Sequence, residues 1–284
     1  MTLDIAHLQT WIGRAQSLTE TIAPFPSNAL AATLDRPDPP YGIGTPLPPL
    51  WHWLHFLVAG PLAEAGPDGH PARGGFLPPV PLPRRMWAGS RLRFVAPLRI
   101  GDEATKTSTV TSVTMKDGRT GPLVFVTVRH IVGVGSATAI EEEHDIVYRG
   151  NAPAGSTTPD PPTAPTNAEF ERTIAPDPVL LFRYSALTFN SHRIHYDQPY
   201  VTGVEGYPGL IMHGPLIATL LLDNLRRAHP ERRVAEFVFR AVSPLFDTDR
   251  FSVCGRLAPE GHSAQLWARR TDGGLAMDAT ASLA

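Results

Sequence analysis

The sequence predicts an α+β fold made of two copies of one unit, each a long apolar helix followed by about four antiparallel strands. Three observations carry this. The segments RFVAPLRIGD (93–102) and RAVSPLFDTD (240–249) share Arg, Val, Pro, Leu and the final Asp at a constant offset of 147. Each copy ends the first strand of a four-strand run, and each run follows an apolar segment of helical length. A helix as apolar as LIMHGPLIATLLLDNL implies a sheet that curls around it, and two such units can place their sheets edge to edge.

The elements follow in order. Amphipathic patterning predicts helices over Leu3–Leu18 and over Asn28–Leu34 behind Pro26. Leu47–Gly60, with prolines at its start and glycine at its end, is the expected central helix of the first unit. Pro46-Leu47 matches Pro215-Leu216 at an offset of 169, which requires an insertion before the first strand run. That insertion is residues 60–83, a Pro/Gly-rich surface loop. Strands are expected at Arg91–Leu98, Glu103–Lys116, Leu123–Val134 and Ala137–Tyr148, rich in Val, Thr and Phe and separated by Gly-Asp, Asp-Gly and Gly-Ser turns.

Residues 151–168, NAPAGSTTPDPPTAPTNA, read as a linker with nothing to bury, dividing a first unit (1–150) from a second (169–284). The second opens with a strand at Phe170–Ile174. A helix over Pro178–Phe189 follows, capped near Asp177, with Val179, Leu180, Phe182, Leu187 and Phe189 facing in. A helix over Gly209–Ala228 and four strand candidates ending at Leu283 complete it.

Composition bounds the function. A net charge of −2 over 284 residues supplies no basic field for nucleic acid or anionic lipid, so the expected partner is a small molecule. Cys254 stands alone and no secretory leader pattern opens the chain, which points to a reducing cytoplasm. The longest apolar run, about 209–222, contains His213 and is shorter than the ~20 residues that span a bilayer.

The chemistry concentrates in LFRYSALTFNSHRIHYDQPY (181–200) and GYPGLIMHGP (206–215). Asn190, His192 and His195 lie within six positions at the end of the Pro178–Phe189 helix, where a turn beside an apolar core suits a site. His192 and His195, with His213, are possible metal ligands, but no cysteine or acid stands at a familiar ligand spacing, and no metal is expected. No GxSxG elbow occurs, and Cys254 lies mid-strand without an activating neighbour. Gly206, Gly209 and Gly214 permit close backbone approach, and a helix starting there offers unpaired N–H groups to a carbonyl gaining negative charge. His52, His55, His70, His229 and His262 receive no role.

FNSHRIHYD followed by GYPGLIMHGP resembles the MaoC-like, R-specific enoyl-CoA hydratase family, with its acid-x-Asn-Pro-Leu/Ile-His-x-Asp run and Met-His-Gly helix start. RYSALTFN, RRMWAGSRLRFVAPLRIGD and GRTGPLVFVTVRH are similar to the branch holding mesaconyl-C4-CoA and itaconyl-CoA hydratases and mitochondrial-type 3-hydroxyacyl thioester dehydratases. The resemblance spans nearly the whole chain and implies a double hot-dog fold, in agreement with the repeat. It places the family's catalytic histidine on His195 and its catalytic aspartate on Asn190, where an amide cannot accept a proton.

The implied activity is reversible addition of water to a short 2-enoyl-CoA thioester, with a carboxylated C5 acyl group preferred. A 3-hydroxyacyl dehydratase and a non-catalytic acyl-CoA-binding protein are the alternatives. His195 is the expected acid/base, Asn190 orients the water, and the backbone at Gly214 holds the thioester oxygen. His192, Arg193, Tyr196, Gly209 and His213 are expected to line the substrate site, and Asp197 is a fallback base or a turn cap. The first unit, lacking this cluster, would be non-catalytic, with Arg84 and Arg85 reaching the coenzyme phosphates. Coenzyme A belongs to the substrate, so no cofactor is expected; a homodimer or larger homo-oligomer is.

Overall fold

The computed structural model describes residues 3–71, 73–118, 121–150 and 160–284. In chain order the elements are α1 (Ile5–Gln9), β1 (Ala15–Thr21), α2 (Pro24–Thr33), β2 (Arg84–Phe94), β3 (Glu103–Gly118), β4 (Gly121–Val134), β5 (Ala137–Arg149) and β6 (Phe170–Ile174). They continue with α3 (Pro178–Leu187), α4 (Gln198–Gly203), α5 (Gly214–Ala228), β7 (Val234–Ala241), β8 (Phe251–Leu257), β9 (Ser263–Arg270) and β10 (Leu275–Leu283). The strands form one antiparallel sheet in the order β1-β3-β4-β5-β2-β7-β10-β9-β8-β6. Outward from the central β2–β7 pair, the two halves have the same strand order: the duplication is architectural.

Hydrogen bonds repeat it. The N–H groups of Val95 and Ala96 both donate to Ala139 O (2.8 and 3.1 Å), and those of Val242 and Ser243 both donate to Ala276 O (2.9 and 3.1 Å), an offset of 147 between donor pairs. Isolated bridges join Pro46 to Arg99 and Ile211 to Phe246. The helix-preceding segments therefore correspond at an offset of 165, position 46 with 211, and the expected register of 169 is corrected. At the seam Gly89 faces Arg240, and a Cβ on Gly89 would come within 2.3 Å of Phe239 O, so glycine is what lets the halves join.

α5 is the one long buried helix among the described residues, with every residue from Leu216 to Leu225 buried. Leu and Ala favour the helix, Pro215 fits its first turn, and Arg226 and Arg227 suit its last. Its polar residues are satisfied. Asp223 meets the guanidinium groups of Arg36, Arg172 (2.9 Å) and Arg227 (2.8 Å), and Asn224 Nδ2 donates to Val253 O (2.9 Å). Arg36 lies just past α2, so this cluster also fastens the first half to the second.

The corresponding helix of the first unit is absent. Within Leu47–Gly60 only a single 3-10 turn forms, Trp51–Leu54, bracketed by left-handed Leu50 (φ 71°) and Phe56 (φ 58°). Glu20 of β1 fixes its exit, lying 2.9 Å from both His55 Nδ1 and the Phe56 N–H. Trp51 and Leu54 still enter the main apolar core, so the segment keeps the hydrophobic function of a helix without its length.

Other expectations are corrected similarly. The Leu3–Leu18 helix stops at Gln9, because Ala15–Thr21 pairs with β3 as an edge strand. Leu181 and Tyr184 form the buried face of α3, while Val179, Phe182 and Phe189 are exposed. Residues 151–159 of the expected linker lie outside the described residues. Its remainder packs on the second unit: Ala164 is buried, and Pro162 O accepts the Leu275 N–H at 2.8 Å. The insertion is more than a surface loop. Phe76, Leu77, Val80 and Leu82 join a second core with Leu8 and the outward side chains of β3–β5.

Candidate active site

The site forms where the end of α3 meets the start of α5. Asp177 caps α3 by accepting the Leu180 N–H (2.7 Å), and the chain leaves the helix through left-handed Phe189 (φ 48°). Asn190 closes the following turn, its Oδ1 accepting the His192 N–H at 3.0 Å. Asp197 then caps α4 through the Tyr200 N–H (3.0 Å) and accepts from Arg193 Nε (2.9 Å). The Arg193 bond, and after it the Tyr200 N–H, hold the Asp197 carboxyl below its ordinary range.

His195 is 7 % exposed, and its Nδ1 is 2.7 Å from Ile211 O. A carbonyl can only accept, so Nδ1 carries the hydrogen and Nε2 keeps its lone pair. Burial lowers the ring to about 4, against the Ile211 bond and with help from His70, so it is neutral at pH 7. Ile211 N–H in turn donates to Ile194 O (2.9 Å), which fixes the His195 turn to the segment entering α5.

His213, the residue before α5, is 1 % exposed and stacks on His195 with ring centres 3.6 Å apart and planes 19° from parallel. Its Nε2 is 2.8 Å from Ser185 Oγ on α3. Burial, then His195 and His192, depress its basicity strongly. Gly214 follows as the first helical residue. Pro215 has no N–H, so Gly214 and Leu216 offer the free donors of the first turn, where the helix end is partially positive. A Cβ at Gly214 would meet nothing closer than Trp87 O at 4.0 Å.

His192 extends the column. Its ring stands edge-on to His195 (5.4 Å, 88°), and burial first, then neighbouring His70 and His195, lower it to about 2. A fourth ring, His70, overlies His192 at 3.9 Å and comes from the insertion. The insertion is fastened to the turn at residues 190–197 by its backbone: Ser191 Oγ donates to Gly69 O (2.5 Å), Arg193 N–H to Asp68 O (2.9 Å), and the Arg193 guanidinium to Pro67 O (3.0 Å). Gly69 has φ 87°, and a Cβ there would fall 1.9 Å from Ser191 O, so a side chain is excluded.

Asp68 Oδ2 is 3.0 Å from His70 Nδ1. Ligand atoms of Asp68, His70 and His192 lie within 4.8 Å of one another. With one hydrogen already shared between Asp68 and His70 and two rings overlapping, this is a hydrogen-bonded stack rather than ligands spread around an ion.

The fold thus brings His192, His195 and His213 together beside Gly214, while Asn190 contacts only the backbone of His192 in the same turn. Three other expected site residues are occupied elsewhere. Arg193 pairs with Asp197 and lies over Tyr200 (4.1 Å). Tyr196 is 47 % exposed and donates to Ser191 O (3.1 Å). Gly209 faces the β7–β8 loop, where a Cβ would meet Asp247 Oδ1 at 2.5 Å. Arg84 pairs with Tyr207 OH (2.7 Å) and Glu205, whereas Arg85 joins the wall of a cavity of about 490 Å³ with Asp68, His70, Arg73, Tyr200 and Glu205. His70 is part of the wall of that cavity, and His192 and His195 are not. Sequence reasoning missed Asp68 and His70. Pro67-Asp68-Gly69 announces a turn, but no linear pattern pairs position 70 with position 192.

Residues 50–247 match the family model for hydroxyacyl-thioester dehydratase type 2. The chain is 48 % identical over 279 residues to the mesaconyl-C(4)-CoA hydratase of Chloroflexus aurantiacus, covering 98 % of each. The chain belongs to the hydroxyacyl-thioester dehydratase type 2 family. Solved structures give the same architecture at much lower identity. A MaoC-like dehydratase of Phytophthora capsici has a TM-score of 0.69 at 15 % identity, covering 99 % of this chain and 98 % of that one. A Mycobacterium tuberculosis protein with a double hotdog fold has a TM-score of 0.58 at 13 % identity over 96 % of both chains. The fold of this family member is a double hot-dog, and the enzyme is a hydro-lyase: hydratase and dehydratase name the two directions of one reaction. No helix among the described residues is long and apolar enough to cross a membrane.

Proposed function

We propose that this enzyme adds water reversibly to the double bond of a short 2-enoyl-CoA thioester carrying a second carboxylate, a C5 acyl group such as mesaconyl-C4-CoA or itaconyl-CoA. The observation that carries the reading is the 48 % identity to a mesaconyl-C(4)-CoA hydratase across 98 % of both chains. The geometry supports the reaction type, since a neutral imidazole with a free Nε2 is stacked on the residue that precedes the first turn of α5.

In the hydration direction, His195 Nε2 takes the proton of water as its oxygen bonds to Cβ. The electron pair of the double bond moves toward the thioester, whose oxygen is held as an enolate by the N–H groups of Gly214 and Leu216. Such donors are worth on the order of 3 kcal/mol each. Asn190 Oδ1 already accepts the His192 N–H, and its second lone pair orients the water. The reaction moves only water and protons, and coenzyme A enters with the substrate.

The same reading has the enzyme in the cytoplasm, where its single, buried Cys254, pushed up to about 12 mainly by burial, stays reduced. It also has the chain assembling with itself, for which exposed Phe25 and Phe182 offer apolar surface. The family's name favours a second substrate, a 3-hydroxyacyl thioester undergoing dehydration. Incubating the protein with a panel of 2-enoyl-CoA and 3-hydroxyacyl-CoA esters, and following the conjugated-thioester absorbance with mass detection, separates them. Gain of one water by mesaconyl or itaconyl esters with little turnover of crotonyl-CoA supports the proposal. Preference for unbranched, uncharged chains assigns the second substrate, and binding without turnover identifies an acyl-CoA-binding protein.

A further inference from the structure

The reaction needs two proton-handling groups, one for water and one for Cα, and position 190 supplies an amide where an acid is expected. We propose that the second group comes from the other half of the molecule: His70, with Asp68 hydrogen-bonded behind it, is the proton donor to Cα. The inference rests on the hydratase reading above.

Four observations support it. The insertion that carries the pair is held against the catalytic turn by three hydrogen bonds of 2.5–3.0 Å to backbone carbonyls of Pro67, Asp68 and Gly69, and the contact at Gly69 leaves no room for a side chain. The Asp68–His70 hydrogen bond of 3.0 Å fixes the tautomer, with Nδ1 toward the carboxylate and Nε2 left for chemistry. The His70 ring lies in the cavity wall on one side and against His192 on the other, at 3.9 Å. His195 has no such support: its Nδ1 faces a neutral carbonyl and its ring a neutral imidazole.

A carboxylate is what stabilises an imidazolium, so of the two rings His70 is the one built to carry the donated proton. The charged and titratable groups around it are Asp68, His192, Arg73, Arg85 and, across the cavity, Glu205 and Tyr200. Burial lowers its basicity, with help from Arg85 and Arg73, and Asp68 opposes them.

The step balances. The O–H bond of water breaks with its proton going to His195 Nε2, oxygen bonds to Cβ, and the C=C pair becomes the enolate. Cα then takes the proton of the His70 imidazolium, leaving that ring neutral. Between turnovers the proton on His195 returns to His70 across His192 or through solvent, so none is gained or lost.

The test compares the intact wild-type enzyme with Asp68→Asn and His70→Gln by kcat, KM and the pH dependence of kcat on an ester that the wild type turns over. The base, His195, sets the acidic limb, and the acid, His70, sets the alkaline limb. Asp68→Asn keeps the hydrogen bond but removes the charge, so it lowers kcat about 10-fold and moves the alkaline limb to lower pH, leaving the acidic limb in place. His70→Gln lowers kcat on the order of 10²-fold and abolishes that limb. Unchanged limbs in Asp68→Asn, even with reduced activity, would show that the pair only anchors the loop, and would overturn the proposal. So would a chelator-sensitive wild type restored by zinc, which would make the pair metal ligands. A wild type inert toward every ester overturns the hydratase reading and this one with it, whereas an active wild type with fully active variants overturns only this one.

Discussion

The two halves of the sheet enclose two different clusters of histidines. In the second unit His195 stacks on His213 at the entrance to α5 and His192 stands edge-on to His195, next to His70 in the wall of a cavity. In the first unit His52, His130 and His144 surround Glu142, which is 4 % exposed and accepts from Trp53 Nε1 (3.0 Å) and Ser90 Oγ (2.9 Å), with His52 Nε2 3.4 Å away. Trp87 closes the cluster by lying on His144 at 3.9 Å. Its His52 and His144 each have a buried nitrogen without a partner among the described residues.

The difference is the helix. On the function proposed above, the N–H groups that α5 leaves free give the imidazoles an electrophile to work on. Where the helix shrinks to one 3-10 turn, indole and hydroxyl donors close around a carboxylate.

The sharpest break between the halves is functional. His195→Gln is expected to lower kcat on the order of 10³-fold while leaving the unfolding midpoint in denaturant nearly unchanged. If turnover survives, the catalytic cluster has been assigned to the wrong half. The converse substitution, Glu142→Ala, strands the Trp53 and Ser90 donors in the core, and is expected to cost about 3 kcal/mol of stability. Denaturant unfolding reads the loss, and the kcat of the folded fraction should stay within a few-fold of wild type.

Acid should act on both halves alike, the most general of these effects. Folded-state values of about 4 for His130 and His195, about 3 for His144 and about 2 for His192 all lie below the ordinary 6.5, with burial as the first cause in each. Between pH 6.5 and those values the unfolded chain binds protons that the folded chain refuses, so stability falls as pH falls. Each ring contributes at most about 1.4 kcal/mol per pH unit, and less where it is partly exposed. Glu142, held ionised in the fold by His52 against the desolvation that burial imposes, extends the loss below pH 4.5. Thermal midpoints from pH 7 to pH 4 test this: His130→Gln/His144→Gln and His192→Gln/His195→Gln should each flatten the slope. A double variant whose slope matches the wild type would remove that half from the account.

Much of this was legible in the chain. The 147-residue repeat predicted the duplicated sheet, and the apolar run over about 209–222 predicted a buried helix. The run from Asn190 to Asp197 predicted the turn that follows α3. These are local signals, since strand alternation, helix capping and turn chemistry act over a few residues.

What the chain could not announce is what depends on contacts between distant residues. Leu47–Gly60 has the composition of a helix, but Glu20 and the left-handed Leu50 and Phe56 hold it to a single turn. The outward Phe182 and the position of Asp68–His70 over His192 were likewise decided only in three dimensions. Sequence fixes which groups can exchange a proton and which segments can pair. Which imidazole keeps a free nitrogen, and whose carboxylate stands behind it, depends on packing across more than a hundred intervening residues, where long-range burial overrides local preference.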